Sequence, residues 1–279
     1  MIKKTFILVL ITIIWFNRTN ILKAQSPIVS QKEIVSSELN FARTAKQMGL
    51  KYAFEQNLDS TAMIASGVHL VNGLKAYAKV TAENNDLLVW HPTFARTNLT
   101  EDFGFTTGPY LYYSRRGEQA VASGNYFSIW KKDKNQRFKL LFDGGVNHTS
   151  INEDYPQAVE RSNTQLLKFK KSKKMQQPAP PDLTTTHEAY NYLDKEVLIL
   201  RADHPIRLGK AHYTDTSAAL LYHQKQSGYD ESGKFYYEVG NLYDHNPTID
   251  LKKIKGFYAQ VWRFEKKWTI IADVVQLAH

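Results

Sequence analysis

The chain carries one pattern twice, 132 residues apart. Gly124-Asn-Tyr126-Phe-Ser-Ile129-Trp130 recurs as Gly256-Phe-Tyr258-Ala-Gln-Val261-Trp262. At the same offset Phe103 falls on Phe235, Phe105 on Tyr237, Gly108 on Gly240, Trp90 on Tyr222 and His91 on His223. After a turn two residues shorter, Phe138-Lys-Leu140-Leu141-Phe-Asp143 matches Trp268-Thr-Ile270-Ile271-Ala-Asp273. An offset held across three separate segments means one fold used twice, since a shared core fixes the spacing between the elements that line it. At 279 residues the chain is long enough for each copy to bury its own core.

Residues ahead of the repeats read as an export signal. Lys3 and Lys4 precede the apolar run Thr5 to Phe16, and Leu22-Lys-Ala24-Gln25 offers a small residue at a cleavage point. The run is shorter than the roughly 20 apolar residues of a membrane span. Residues 1–24 are therefore expected to be removed as a signal peptide, with an uncleaved anchor as the alternative. The expected location is the periplasm or the exterior, with no membrane contact after cleavage. The chain has no cysteine, which excludes disulfides and thiolate metal sites. Of the formal charge of +9, Lys3, Lys4, Arg18 and Lys23 leave with the signal, so 9 − 4 = +5 remains. The surplus gathers at Lys168, Lys170, Lys171, Lys173 and Lys174, beside Gln176-Gln-Pro178-Ala-Pro180-Pro181. That composition reads as a solvated linker over 146–182, and no nucleic acid partner is expected.

Residues 31–58 have helical spacing, with Ile34, Leu39, Phe41, Ala42 and Ala45 recurring at threes and fours. Strands are expected at 86–92, 103–113, 124–132 and 137–143. The second copy reads as a shorter helix over 184–194, then strands at 197–200, 217–223, 234–243, 253–264 and 267–277. Helices followed by an antiparallel meander make an α+β order. The domains are then 25–145 and 183–279.

The strand ending Trp90-His-Pro92, the segment Phe103-Gly-Phe-Thr-Thr-Gly108, the run Gly124-x-Tyr-x-x-Ile-Trp-Lys-Lys132 and the ending Lys139-x-x-x-Asp-Gly144 carry a family resemblance. They resemble the nuclear transport factor 2-like superfamily, and within it the SnoaL-like and ketosteroid-isomerase-like domains of uncharacterised secreted bacterial proteins. The resemblance covers 31–145 and, more loosely, 183–279. It implies two tandem cone-shaped domains, each a curved antiparallel sheet packed around N-terminal helices and enclosing a conical cavity. Members of that superfamily include isomerases, dehydratases, cyclases and plain binding modules, so fold alone does not give function. Such domains usually carry an acidic Gly-Asp-Leu-Gly-Tyr type segment. Glu101-Asp102-Phe103-Gly104-Phe105 keeps the acid, whereas Ser232-Gly233-Lys234-Phe235 has Lys234 in its place. The resemblance thus implies that any activity depending on this acid belongs to the first copy.

An isomerase-like cavity needs a carboxylate base and a donor for the developing enolate. Asp102 and Asp143 are the candidate bases, and each also fits a turn or strand-end role. The candidate ligand contacts of the first copy are His69, Trp90, Tyr110, Tyr126 and Trp130. Those of the second are Tyr222, Tyr237, Tyr258 and Trp262. Tyr126, Ser128 and Trp130 share one strand face, and Asn125, Phe127 and Ile129 the other; Tyr258, Gln260 and Trp262 oppose Phe257, Ala259 and Val261 in the same way. The polar-tipped faces suit pocket walls, although large aromatics are also ordinary core residues. The nine histidines are scattered, and no metal site is expected. No Gly-x-Gly-x-x-Gly, phosphate-binding loop or Gly-x-Ser-x-Gly elbow is present, so no cofactor is expected. The reading is a small apolar or carbonyl-containing molecule held in the first cone. An isomerase- or dehydratase-type enzyme and a non-catalytic scaffold are the alternatives, and a homodimer is left open.

Overall fold

The computed structural model describes residues 27–81, 85–98, 100–151, 165–167, 178–215, 219–244 and 253–278. The expected signal segment and the lysine cluster at 168–174 lie outside the described residues. None of the described helices is long and apolar enough to cross a membrane.

Helices α1 (Pro27–Met48) and α2 (Leu50–Asn57) are separated at Gly49, whose φ of 90° suits a residue without a Cβ. α1 turns Ile34, Glu38, Phe41 and Ala45 inward, all 1% exposed or less. These positions form a single stripe at a period of 3.6. Leu39, expected in that stripe, is 36% exposed, and Glu38 takes the inward place. Strands β1 (Leu58–Ser66) and β2 (His69–Asn72) form a hairpin leading to the short α3 (Gly73–Tyr77). Asn72 caps α3 by accepting from the Lys75 N–H. The sheet continues with β3 (Leu87–Trp90), β4 (Phe94–Thr97), β5 (Phe103–Tyr113), β6 (Ala122–Lys132) and β7 (Phe138–His148). Residues 146–148 of the expected linker complete β7, and Gln165–Leu167 adds a short β8 beside β4.

The second copy begins with a 3-10 turn, Thr186–Tyr192. It continues through β9 (Leu193–Arg201), β10 (Arg207–Leu208), β11 (Leu220–Tyr229), β12 (Phe235–Asp244), β13 (Gly256–Phe264) and β14 (Trp268–Leu277). The sheet orders are β2-β1-β7-β6-β5-β4-β8, with β3 also on β5, and β10-β9-β14-β13-β12-β11. The fold is α+β, two sheet domains in tandem, with two departures from expectation. Both sheets are mixed, because the first long strand of each copy joins the sheet parallel to its last strand, β1 on β7 and β9 on β14. The second sheet also has only two 3-10 segments among the described residues where the first has α1 to α3.

Strand alternation sends the two faces of each sheet to different cores. In the first copy Tyr126 and Trp130 join Phe41, Phe54 and Trp90 on the concave, helix-covered side. Phe127 and Ile129 join Phe103, Phe105 and Phe142 on the other face, and there they meet Tyr237, Val239, Phe257, Val261 and Val274 of the second copy. The two sheets are packed back to back over one apolar seam. Equivalent residues meet across it. Phe103 and Phe235 lie 6.3 Å apart between ring centroids, and Asn98 Nδ2 donates to Asp230 Oδ2 at 2.8 Å across the 132-residue offset. Contact between like positions places a pseudo-twofold axis there.

The repeated glycines follow from close approach. A Cβ on Gly108 would fall on the carbonyl oxygen of His91, and one on Gly240 on that of His223. The two carbonyls are themselves equivalent, so the same intrusion is built twice.

Candidate functional site

One polar rung crosses the concave floor of each sheet at the same height. In the first copy Thr106, Ser128 and Asp143 are cross-strand neighbours on β5, β6 and β7. In the second the same positions hold Glu238, Gln260 and Asp273 on β12, β13 and β14. In the second copy Arg201 of β9 joins this rung through Asp273.

The first rung is completed by Glu38, which α1 lowers onto it. Glu38 is fully buried. It accepts from the Trp90 indole at 2.5 Å, the Trp130 indole at 2.9 Å and the Thr106 hydroxyl at 2.5 Å. Burial raises its pKa, and the hydrogen bonds from Thr106, Trp90 and Trp130 offset part of that rise. Asp143 is placed differently. Its Oδ2 accepts from Ser128 at 2.7 Å, and it keeps accessible surface although it sits mid-strand on the floor. Burial, and then the charge of Glu38, push it up to about 8. At neutral pH it is therefore mostly the neutral acid, a hydrogen-bond donor. Tyr126 lies beside this pair. Its hydroxyl is buried without a hydrogen-bond partner, and burial followed by the Glu38 charge holds its pKa well above the usual phenol.

The expected contacts fall into three groups. Trp90, Tyr126, Trp130 and Asp143 come together in the first cone. Tyr110 stands near them, partly buried against the same core, with its hydroxyl donating to Asn147 Oδ1 at 2.6 Å and burial pushing its pKa up to about 12. His69 does not join them; it is exposed beside the β1–β2 turn. Asp102 lies in the seam, 5% exposed. It accepts from Asn98, from the Thr100 hydroxyl at 2.6 Å and from the Glu231 N–H at 3.2 Å. Its place is a loop lock on the pseudo-twofold, where Asn98 and Asp230 cap equivalent backbone N–H groups at Phe103 and Phe235.

In the second copy Tyr222, Tyr258 and Trp262 lie on the concave side, whereas Tyr237 faces the seam and stacks on Phe103 at 6.1 Å. Alternation explains this, because Tyr236 and Glu238 take the concave positions of β12. Asp273 is held by Arg201 at 2.5 Å and by Gln260 at 2.8 Å, and Gln260 also reaches the Tyr222 hydroxyl at 3.1 Å. Reasoning from sequence missed Glu38 and Glu238. Glu38 had a signal: a carboxylate inside the apolar stripe of a helix. Glu238 had one too, on the pocket-wall side of a strand.

Among the described residues no three His, Asp or Glu side chains converge as a metal site. A cleft of about 330 Å³ opens at the seam, with His148 and His204 in its wall, and it contains none of the expected site residues.

No family model and no curated protein matches the sequence. Solved structures do match. A conserved protein from Planctomyces limnophilus is 12% identical with a TM-score of 0.35, covering 43% of this chain and 97% of its own. A cystatin-like protein of unknown function from Nostoc punctiforme is 12% identical with a TM-score of 0.34, covering 43% and 92%. A nuclear transport factor 2-like protein with a cystatin-like fold from Novosphingobium aromaticivorans is 10% identical with a TM-score of 0.37, covering 52% and 97%. These are likenesses of fold at low identity. By its own topology the chain is an α+β fold with one strand pattern used twice, α-helices leading into the first sheet and a 3-10 segment into the second.

Proposed function

We propose that the first cone of an exported protein binds a small, largely apolar molecule through a carbonyl oxygen, with the Asp143 carboxyl as hydrogen-bond donor. One observation carries this reading: a carboxyl that burial keeps protonated at neutral pH, on a part-buried residue of the floor of an aromatic core. Such a group supplies orientation in an otherwise apolar site. A neutral acid donates to a carbonyl without the cost of desolvating a charge.

The test is thermal unfolding of the mature chain with a panel of cyclic ketones, steroid enones and polyketide-like aromatics. A ligand that binds only the folded state raises Tm by mass action. At least one member should do so, and Asp143→Leu should abolish the shift. No shift from any member, or a shift unchanged in Asp143→Leu, contradicts the reading and leaves a scaffold in its place. The export part is tested by mass spectrometry of the protein from its native cell envelope, where a mature start near Gln25 is expected and a full-length cytoplasmic chain contradicts it.

A second reading has its own observation. Glu38 and Asp143 are two buried carboxyls that feel each other's charge, the arrangement that separates an acid from a base. An enolising activity would then use this pair, with no part for Asp102. A ketone that binds should exchange its α-hydrogens in D2O, and Glu38→Gln should stop the exchange while keeping the ligand. Binding without exchange dismisses turnover.

A further inference from the structure

The second cone contains a carboxyl that the fold leaves under-partnered. Glu38 of the first cone has three strong donors, but Glu238 accepts from the Tyr236 hydroxyl at a long 3.4 Å. No ion pair reaches it among the described residues. Arg201, on β9, is committed to Asp273 and to the backbone carbonyls of Leu200 and Asp273. The Trp262 indole N–H is near enough to act on Glu238 electrostatically but is not in hydrogen-bonding geometry with any group. Glu238 and Tyr222 are part-buried, over the fully buried Tyr258 and Trp262.

The surroundings are aromatic and acidic. Tyr222 and Tyr258 stand 4.4 Å apart between centroids, Tyr236 is the cross-strand partner of Trp262, and Tyr192 lies 5.8 Å from the Trp262 ring. The charged groups acting on Glu238 are Asp182, from the segment ahead of the 3-10 turn, and Asp273, from β14. A half-buried carboxyl with no ion pair among the described residues, set among aromatic side chains and acted on by two further acids, is electrostatically incomplete. An anion would be repelled there. A positive charge would meet the carboxylate and the negative faces of the rings together.

We propose that the concave face of the second copy is a separate binding site for a small organic ammonium ion, anchored on Glu238 and walled by Tyr222, Tyr236, Tyr258 and Trp262. The site does not depend on the carbonyl reading of the first cone and uses none of its residues.

Burial, and then the charges of Asp182 and Asp273, hold the Glu238 carboxyl up to about 7 against the opposing pull of the nearby Trp262 indole N–H and the Tyr236 hydroxyl. A cation binds the ionised form, so affinity must rise with pH through that value and level off above it. Tyr222, Tyr236 and Tyr258 are all held above the usual phenol range by burial and stay neutral across the window.

Calorimetric titration of the full mature chain tests this with choline and with 3,3-dimethylbutan-1-ol, the same shape without the charge. Choline should bind at least about tenfold more tightly than the neutral alcohol. Its Kd should fall about tenfold per pH unit below pH 7 and flatten by pH 8. Glu238→Gln should remove both the preference and the pH dependence, and Tyr222→Leu should weaken choline. Asp143→Asn, in the other cone, should leave the choline Kd and its pH dependence as they are in the parent, whatever it does to the first cone. Glu238→Gln should melt no lower than the parent, since the amide removes a poorly paired carboxyl; if it fails to fold, Tyr222→Leu and the parent's pH profile still decide. No choline binding, equal binding of choline and the alcohol, or loss of binding in Asp143→Asn rather than in Tyr222→Leu overturns the proposal.

Discussion

Asp143 and Asp273 occupy one position in two copies of one fold, and their partners give them opposite characters. Asp273 has a guanidinium and an amide within 2.8 Å. Asp143 has a hydroxyl, and a second carboxyl nearby. An acid whose pKa is higher folded than unfolded holds a proton that the unfolded chain has released between the two values. Its stabilising contribution is complete below the unfolded pKa near 4 and is lost as pH rises toward the folded value. Asp143, at about 8, should therefore make stability fall between about pH 4 and pH 8, by at most about 1.4 kcal/mol per pH unit. Asp143→Asn should lack this slope, gaining on the parent in urea unfolding as pH is raised from 5 to 8. A constant difference across that range would mean that the carboxyl is ionised throughout. Trp130→Phe keeps a ring and removes a donor from Glu38, and should cost about 1–3 kcal/mol. The loss should be smaller in a Glu38→Gln background, because the two residues share one interaction.

At the scale of elements, the first cone depends on α1 pressing one stripe onto a concave sheet. Phe41 sits edge-on to Phe54 and Trp90, each at 4.8 Å, and Phe41→Ala should cost about 3–5 kcal/mol. Thermal unfolding monitored by near-ultraviolet circular dichroism checks this, and a loss below about 1 kcal/mol would mean that the helix is not the lid of the core. Strands were legible in the sequence, because alternation and turn residues are local. The assignment of faces was legible for β6 and β13, where Tyr126 and Trp130 part from Phe127 and Ile129. It failed at β12: Tyr237, an expected pocket residue, faces the seam, as does its repeat partner Phe105. Identity of position carries over between repeats, but a pocket role does not follow from an aromatic ring. On the inner face of α1 the expected Leu39 is exposed and Glu38 is buried, because an apolar spacing read from hydrophobic residues alone passes over a buried acid. Only the spacing to Ile34, Phe41 and Ala45 would have corrected it. Asp102 was a long-range failure. Nothing near it in sequence announces that a second copy of its own loop will dock on it.

At the scale of the molecule, the repeat is one body with two outward-facing cones. Joined back to back, the copies bury Phe103, Phe105, Phe127, Tyr237, Val239 and Phe257 in a shared core, each such side chain worth about 1.5–3 kcal/mol relative to exposure. Cutting the connection between the copies should therefore leave two fragments that co-elute in gel filtration. Elution of separate folded halves would show that the seam is not a core. The same arrangement lets each cone keep its own electrostatics, a neutral acid in one and an under-partnered carboxyl in the other. The central claim is that the first cone presents a protonated carboxyl. It is tested most directly by titrating the side-chain carboxyl carbons of 13C-aspartate-labelled mature protein by NMR, with Asp143 assigned by its disappearance in Asp143→Asn. A midpoint near 8 is predicted; a midpoint near 4, the ordinary value for an aspartate, contradicts the account.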